Sequence, residues 1–500
     1  MDDGLHADPA LLKTGVPGFD EVLAGGLTPN RVYLVEGDPG AGKTTLALQF
    51  LMEGRRNGEQ GLYVTLSETR DELIGVAASH GWDLDGIKIT ELAIAEASLD
   101  ADAENTMFHP SEVELAQMAE VVLREVEASR PSRIVFDSLS EMRLMAQNSL
   151  RYRRQILALK QFFVGRQCTV LLLDDGTAAL TDIQVQSVVH GVIALQQSAP
   201  DYGSTQRRLE VTKMRGRAFR SGYHDYKIAH GGVQVFPRLT AAEHHAAFPL
   251  TKVQSGLAKL DALLGGGLDR GTSALLLGPA GAGKSTIALQ YAVAAAQRGE
   301  RAAMLLFDEG VMTLFARAAG IGIPLRDYVD RGFISIRQVD PGQLSPGELI
   351  CYVRDEVQHR QARIVVIDSL NGYLNSLPQA QSLSIQLHEF LSYLGQSGVT
   401  SLLVISQSGL VGSQLETPVD ASYIADTIIV LRFFEALGTV RQAISVMKKR
   451  SGNHERSIRE FRFDPDGIHI GLPLRQFDGV LTGVPTYRGE DRSLLDANDA

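Results

Sequence analysis

The chain has 500 residues, 44% hydrophobic and 21% charged, with a formal net charge of −11, the composition of a soluble globular protein with room for roughly two to four domains. Its two cysteines, Cys168 and Cys351, lie far apart and form no CxxC pair, which argues against a zinc ribbon and suits a reducing cytoplasm. No run approaches ~18 apolar residues and the acidic balance argues against constitutive nucleic-acid binding, so we expect a cytoplasmic protein with neither membrane span nor signal peptide.

Taken in chain order, the first half reads RVYLVEG as a strand, KTTLALQFLMEGRR as an amphipathic helix and GLYVTL as a strand. SEVELAQMAEVVLREVEAS is then a helix, RIVFD a strand, RYRRQILALKQFF a helix and CTVLLL a strand. The second half repeats the order with SALLLG, STIALQYAVAAAQR, AAMLLF, ELICYVRDEVQHR, RIVVID, LSIQLHEFLSYLG and TSLLVIS. Continuous apolar strands alternating with helices predict an α/β fold with a mostly parallel central sheet covered on both faces. GVIAL, RRLEVTKM and DYKIA are expected as antiparallel strands added at one edge. The segment around residues 97–110 is expected as a surface loop.

The two halves are copies. Lys284 follows Lys43 by 241 residues (284 − 43), and the same offset links Gly15 to Gly256, Asp20 to Asp261 and Glu68 to Glu309. A period this long reads as a duplicated domain rather than a solenoid. We expect a first domain over 1–240, a linker over 241–250, a second domain over 251–473 and a polar tail over 474–500, where periodicity is lost.

Both copies carry G-x-x-x-x-G-K-[ST] between a strand and a helix. These are Gly37-Asp38-Pro39-Gly40-Ala41-Gly42-Lys43-Thr44, followed by Thr45, and Gly278-Pro279-Ala280-Gly281-Ala282-Gly283-Lys284-Ser285, followed by Thr286. Glycines let the backbone N–H groups curl round phosphates, and the helix start adds positive potential. Lys43 and Lys284 bring charge to the β- and γ-phosphates of ATP, and Thr44 and Ser285 offer hydroxyls to Mg²⁺. Asp137 and Asp368 end the strands RIVFD and RIVVID and are expected to hold the Mg²⁺ shell, directly or through water. Glu68 and Glu309 follow the next strand type and are placed to orient water, on the expectation that their strands lie beside the P-loop strand. Lys213 with Arg215, and Lys448 with Arg450, recur late in each copy and could act in trans on a neighbour's developing charge. The plain alternatives are a helix-start glutamate and a solvated basic turn. The repeat in register favours the functional reading.

These residues resemble the KaiC family of the RecA superfamily. The likeness rests on TGVPGFDEVLAGGL, both P-loops, the VTLSE and LLFDE strand ends, both I-x-x-D-S-L strands and the K-x-R pairs. It implies two tandem RecA-like P-loop NTPase domains in a homohexamer of two stacked rings, with ATP at subunit interfaces and slow hydrolysis in the first repeat. It also implies an autokinase in the second repeat, with Asp308 beside Glu309 activating a hydroxyl. The family's adjacent glutamates appear here as Ser67-Glu68 and Asp308-Glu309, and its Ser-Thr acceptor pair as Ser422-Tyr423, so Ser422 alone is the phosphoacceptor candidate. The tail GVPTYRGEDRSLLDANDA does not match the family's partner-binding tail. A KaiA-type partner is therefore not expected, though other signalling proteins could bind.

Three functions compete: an oligomeric MgATPase with Ser/Thr autokinase activity serving a signalling or circadian-type switch, a RecA-, RadA- or DnaB-type nucleic-acid motor, and a nucleotide-stabilised scaffold with negligible turnover. The motor would need basic loops after the strand-ending acid, and the second copy reads SLNGYLNSLPQAQSLS there. The histidines His224, His230, His244 and His245 fit no metal spacing and are expected at the surface. No metal beyond Mg²⁺ is expected.

Overall fold

The computed structural model describes residues 10–92, 110–146, 149–176, 183–200, 203–375, 380–407, 425–436, 438–482 and 485–488. Ser422 and nearly all of the segment expected as a loop around 97–110 lie outside the described residues. The chain divides into two compact units, Met1–Arg238 and Leu239–Ala500.

In the first unit the strands are β1 (Val32–Gly37), β2 (Gly61–Thr65), β3 (Ile87–Glu91), β4 (Arg133–Asp137), β5 (Thr169–Asp175), β6 (Gly191–Ser198), β7 (Gln206–Met214), β8 (Tyr223–Ala229) and β9 (Gly232–Phe236). They form one nine-stranded sheet in the order β3-β2-β4-β5-β1-β6-β7-β8-β9. β2 and β4 are buried at every position, as strands covered on both faces must be. The run GVIAL, expected to be antiparallel, is β6, and it pairs parallel to β1. Only from β7 onward does the sheet reverse, because short hairpin connections join these strands where no helical crossover returns the chain.

The second unit begins with a small antiparallel pair, β10 (Lys252–Val253) and β11 (Leu268–Asp269). Its main strands are β12 (Ser273–Gly278), β13 (Arg301–Leu306), β14 (Ile334–Gln338), β15 (Ala362–Asp368), β16 (Thr400–Ser406), β17 (Thr427–Ala436), β18 (Thr439–Lys449), β19 (Arg459–Asp464) and β20 (Gly467–Pro473). Their order, β14-β13-β15-β16-β12-β17-β18-β19-β20, repeats that of the first sheet strand for strand.

The segment 241–250 was expected as a linker, yet its start packs on the second unit. Leu239 and Ala241 join that unit's core, the Ala241 N–H donates to Glu389 at 3.1 Å, and His244 sets its ring edge against Tyr393. The expected polar tail also begins as packed chain. Phe477 and Val480 cover Phe434, Ala436 and Ala443 of the β17–β18 hairpin, and Phe477–Asp478 pairs with Thr486–Tyr487. Apolar side chains among the polar ones decide both outcomes.

Among the four histidines, His224 is buried rather than surface-lying. Its Nδ1 accepts the Arg238 N–H at 2.9 Å and its Nε2 faces the Arg220 carbonyl at 2.9 Å, so both ring nitrogens are satisfied inside the fold.

Candidate functional site

Each P-loop leaves the carboxyl end of a central parallel strand, β1 or β12, and opens a helix, Lys43–Arg56 or Lys284–Gln297. Crevices outside the carboxyl ends of such sheets are where ligands bind. The last glycine of each loop, Gly42 or Gly283, has φ of 96° or 97°, a left-handed conformation only glycine adopts freely. A Cβ there would also meet Ile228 Cδ1 at 2.6 Å or Phe461 Cε1 at 2.5 Å.

The sheet order corrects one expectation. The strand before Glu68 does not lie beside the P-loop strand: β4 and β5 separate β2 from β1. Nor is the strand ending in Asp137 adjacent to β1, since β5 intervenes. The residues still converge because each lies at a carboxyl strand end, where the twist of the sheet brings the loops together. A cavity of about 400 Å³ is lined by Gly40, Lys43, Thr44, Glu68, Asp137 and Asp175, among others.

Lys43 is buried and donates to the Gly37 carbonyl at 2.7 Å and the Asp38 carbonyl at 3.2 Å. It also ion-pairs with Asp175 at 2.8 Å. Asp137 is buried and accepts the Tyr63 hydroxyl at 2.5 Å. Burial pushes the Asp137 carboxyl up from its ordinary range, while the Tyr63 hydrogen bond and Lys43 pull it back. Glu68 is pinned at its backbone by Thr65, whose hydroxyl accepts the Glu68 N–H at 3.0 Å and donates to its carbonyl at 2.7 Å. Burial first, and then the charge of Asp137, raise the Glu68 carboxyl to about 7. One of its oxygens is buried without a hydrogen-bond partner. The Thr44 hydroxyl lies near the carboxyls of both Asp137 and Glu68 and works against the rise of each.

In the second unit Lys284 is buried and donates to the Pro279 carbonyl at 2.7 Å. Burial lowers it to about 8, against the opposing pull of Asp368. Asp368 is itself buried and raised, held partly in check by the Ser285 hydroxyl. Asp308 accepts the hydroxyl of Ser369, and Glu309 is paired with Arg317 at 2.7 Å. The peptides Asp137–Ser138 and Asp368–Ser369 are both cis.

Paired hydroxyl and carboxylate oxygens beside a lysine suit Mg²⁺, which takes one or two protein ligands and completes its octahedron with phosphates and water. Thr44 with Asp137, and Ser285 with Asp368, supply that set. Among the described residues no cluster of three or more His, Cys, Asp or Glu forms an all-protein cage.

The late basic pairs lie elsewhere. Lys213 is paired with Val192 and Val192 with Leu34, so it sits near the amino end of β1, about 10 Å along the strand from the P-loop. It donates to the carbonyls of Gln186 and Val189, and Arg215 donates to Ser187 at 2.6 Å. Lys448 likewise opposes Ile428 at the amino end of β17 and donates to Ala425 at 2.8 Å. Arg450 pairs with Asp426 at 3.0 Å. The structure thus keeps both pairs apart from the P-loop of their own unit.

Three neighbours of the site went unread in the sequence. Asp175 and Tyr63 have no counterpart in the second copy, where Ser406 and Met304 stand at the matching sheet positions. Arg317 has none in the first, where Val76 stands. A search for repeated residues passes over all three.

The fold and the two loops define a tandem P-loop ATPase. The family model described as ATPase: KaiC matches residues 12–240 and again 253–475, and the chain belongs to that family. It is 27% identical over 485 residues to the circadian clock protein KaiC3 of Synechocystis sp., covering 96% of this chain and 95% of that one. It is 27% identical over 490 residues to the circadian clock oscillator protein KaiC of Thermostichus vulcanus, covering 96% and 92%. Against the protein of that name from Synechococcus elongatus the figures are 26% over 493 residues, 96% and 93%. Among the described residues no helix is long and apolar enough to cross a membrane.

Proposed function

We propose that this protein is an oligomeric MgATPase whose second half also phosphorylates Ser422, so that nucleotide state and phosphorylation together set a signalling or circadian-type switch. The observation that carries the ATPase reading is the convergence of Lys43, Thr44, Glu68 and Asp137 on one cavity. Lys43 and the loop N–H groups bind the phosphates. Thr44, and Asp137 directly or through water, would hold Mg²⁺, which would supply charge neutralisation to the triphosphate. Tyr63 orients Asp137. Glu68 turns its unpartnered oxygen to the attacking water and accepts its proton. In the second half Lys284, Ser285 and Asp368 do the corresponding binding.

The homohexamer of stacked rings is supported by the family resemblance. Lys213, Arg215, Lys448 and Arg450 lie toward the amino ends of the strands, so they would stabilise transferred charge only at a neighbouring subunit's site. The kinase reading rests on Ser422 at the family's first acceptor position, with Asp308 as the group that would take the hydroxyl proton. An added phosphate brings about −1.5 to −2 charges, enough to repack a subunit contact.

The test is incubation with γ-labelled ATP and Mg²⁺ of the wild type, Ser422→Ala and Asp308→Ala, reading label on the protein by peptide mapping alongside free phosphate. Label on the wild type that is lost in Ser422→Ala is the expected result. Free phosphate with no label on any variant would leave a ring ATPase without the kinase step.

A further inference from the structure

The two halves repeat in register, yet the glutamates at matching positions keep different company. Among the described residues no arginine or lysine ion-pairs with Glu68. At the place on the following helix that matches Arg317 stands Val76, an aliphatic side chain lining the cavity. In the second half that position is Arg317, on the helix Val311–Gly320. Its Nε donates to Glu309 Oε1 at 3.0 Å and its Nη2 to Oε2 at 2.7 Å. Its Nη1 reaches the Thr286 hydroxyl at 3.3 Å, one residue past Ser285 on the P-loop helix.

A two-point guanidinium–carboxylate contact is charge-assisted and directional. It uses both oxygens of Glu309 at once and fixes the plane of the carboxylate. A glutamate held so keeps a second lone pair on each oxygen, but it has little freedom to turn toward a water, and the adjacent positive charge weakens it as a base. The third contact, to Thr286, ties the arrangement to the helix that carries the phosphate site, so the arginine is anchored at both ends. Thr45, the match of Thr286, has no such neighbour because Val76 offers no donor.

We infer that Arg317 is a latch: a positioning residue that keeps Glu309 paired and thereby makes the second site one that holds ATP and turns it over slowly, while the first site hydrolyses. This rests on the MgATPase reading above. The asymmetry leaves bound ATP in the second half available for slower chemistry, and Arg317 against Val76 is the difference that bears directly on the glutamate.

The test uses the full chain with Lys43→Ala, so that only the second site is loaded, and the same chain with Arg317→Val added. Binding is followed with a fluorescent ATP analogue, and kcat and KM are taken from phosphate release. Arg317→Val is expected to raise kcat by about fivefold or more while KM moves by less than about twofold. Adding Glu309→Gln should cancel the gain, which loosened packing alone would not explain. In the converse chain, with Lys284→Ala, Val76→Arg should slow first-site turnover by a similar factor while the analogue still binds. Unchanged or lowered kcat in Arg317→Val, with the analogue bound, overturns the latch and marks Arg317 as structural or as a group that stabilises transferred charge. Failure of every chain to bind the analogue overturns the ATPase reading and the latch with it, a result distinct from binding without acceleration.

Discussion

Lys43, at the start of the P-loop helix, and Asp175, at the carboxyl end of β5, form an ion pair at 2.8 Å, and the second unit has Ser406 where Asp175 stands. The Lys43 side chain is largely buried and that of Asp175 about one-third exposed, at 10% and 37%. An incoming triphosphate must therefore draw the lysine from a carboxylate in the first half, whereas in the second half no such competitor sits in register.

The affinity of the first site should reflect that competition. In a Lys284→Ala background, Asp175→Asn removes the rival charge and keeps the shape. It should tighten ATP binding by about three- to tenfold, the equivalent of ~1 kcal/mol, measured by titration with a fluorescent ATP analogue. Weaker binding would mean that Asp175 chiefly positions the lysine.

Stability should depend on pH through Glu68. Its carboxyl is raised from 4.5 to about 7 in the folded chain, so between those values the folded state binds a proton that the unfolded state does not. The sign follows: this group's contribution to stability is most favourable at low pH and falls as pH rises through that window. In buffer free of Mg²⁺ and nucleotide, Glu68→Gln should therefore gain on the wild type from pH 5 to pH 8, by about 1 kcal/mol once solvent screening of a partly exposed group is allowed for. Thermal unfolding at the two pH values reads the difference. A constant difference would show that Glu68 titrates normally.

Arg133 is fully buried. It pairs with Glu59, donates to the carbonyls of Lys13 and Phe50 at 2.8 Å each, and lies 4.7 Å from the Phe50 ring centroid. Arg133→Ala strands the Glu59 charge and frees the segment at Lys13. It should destabilise the first unit by about 3–5 kcal/mol, visible in chemical denaturation as early loss of ATP binding at the first site. A loss below ~1 kcal/mol would show that water replaces the guanidinium freely.

The parts of this protein that repeat were open to reading, because each rests on a local rule. The helix Lys43–Arg56 is the run KTTLALQFLMEGRR residue for residue, since a P-loop lysine opens it and apolar spacing carries it. The strands ending at Asp137 and Asp368 were plain from their apolar composition. Strand order was not, since no local feature of GLYVTL says that β4 and β5 stand between it and β1. Nor could GVIAL be known as parallel, because its direction depends on a crossover through the helix Ile183–Val188. Buried His224 shows the same limit: its partners, the Arg238 N–H and the Arg220 carbonyl, are fixed by tertiary contact. What the two halves do not share, Asp175, Tyr63 and Arg317, has no periodic or repeated signal and is defined only by tertiary contact.

The central claim is that Glu68 activates water for hydrolysis of ATP held by Lys43. The most direct test is phosphate release from MgATP by Glu68→Gln in the Lys284→Ala background, with bound nucleotide measured on the same sample. The account predicts that ATP stays bound while turnover falls by about 100-fold or more. Turnover within about twofold of the parent, with ATP bound, would contradict it.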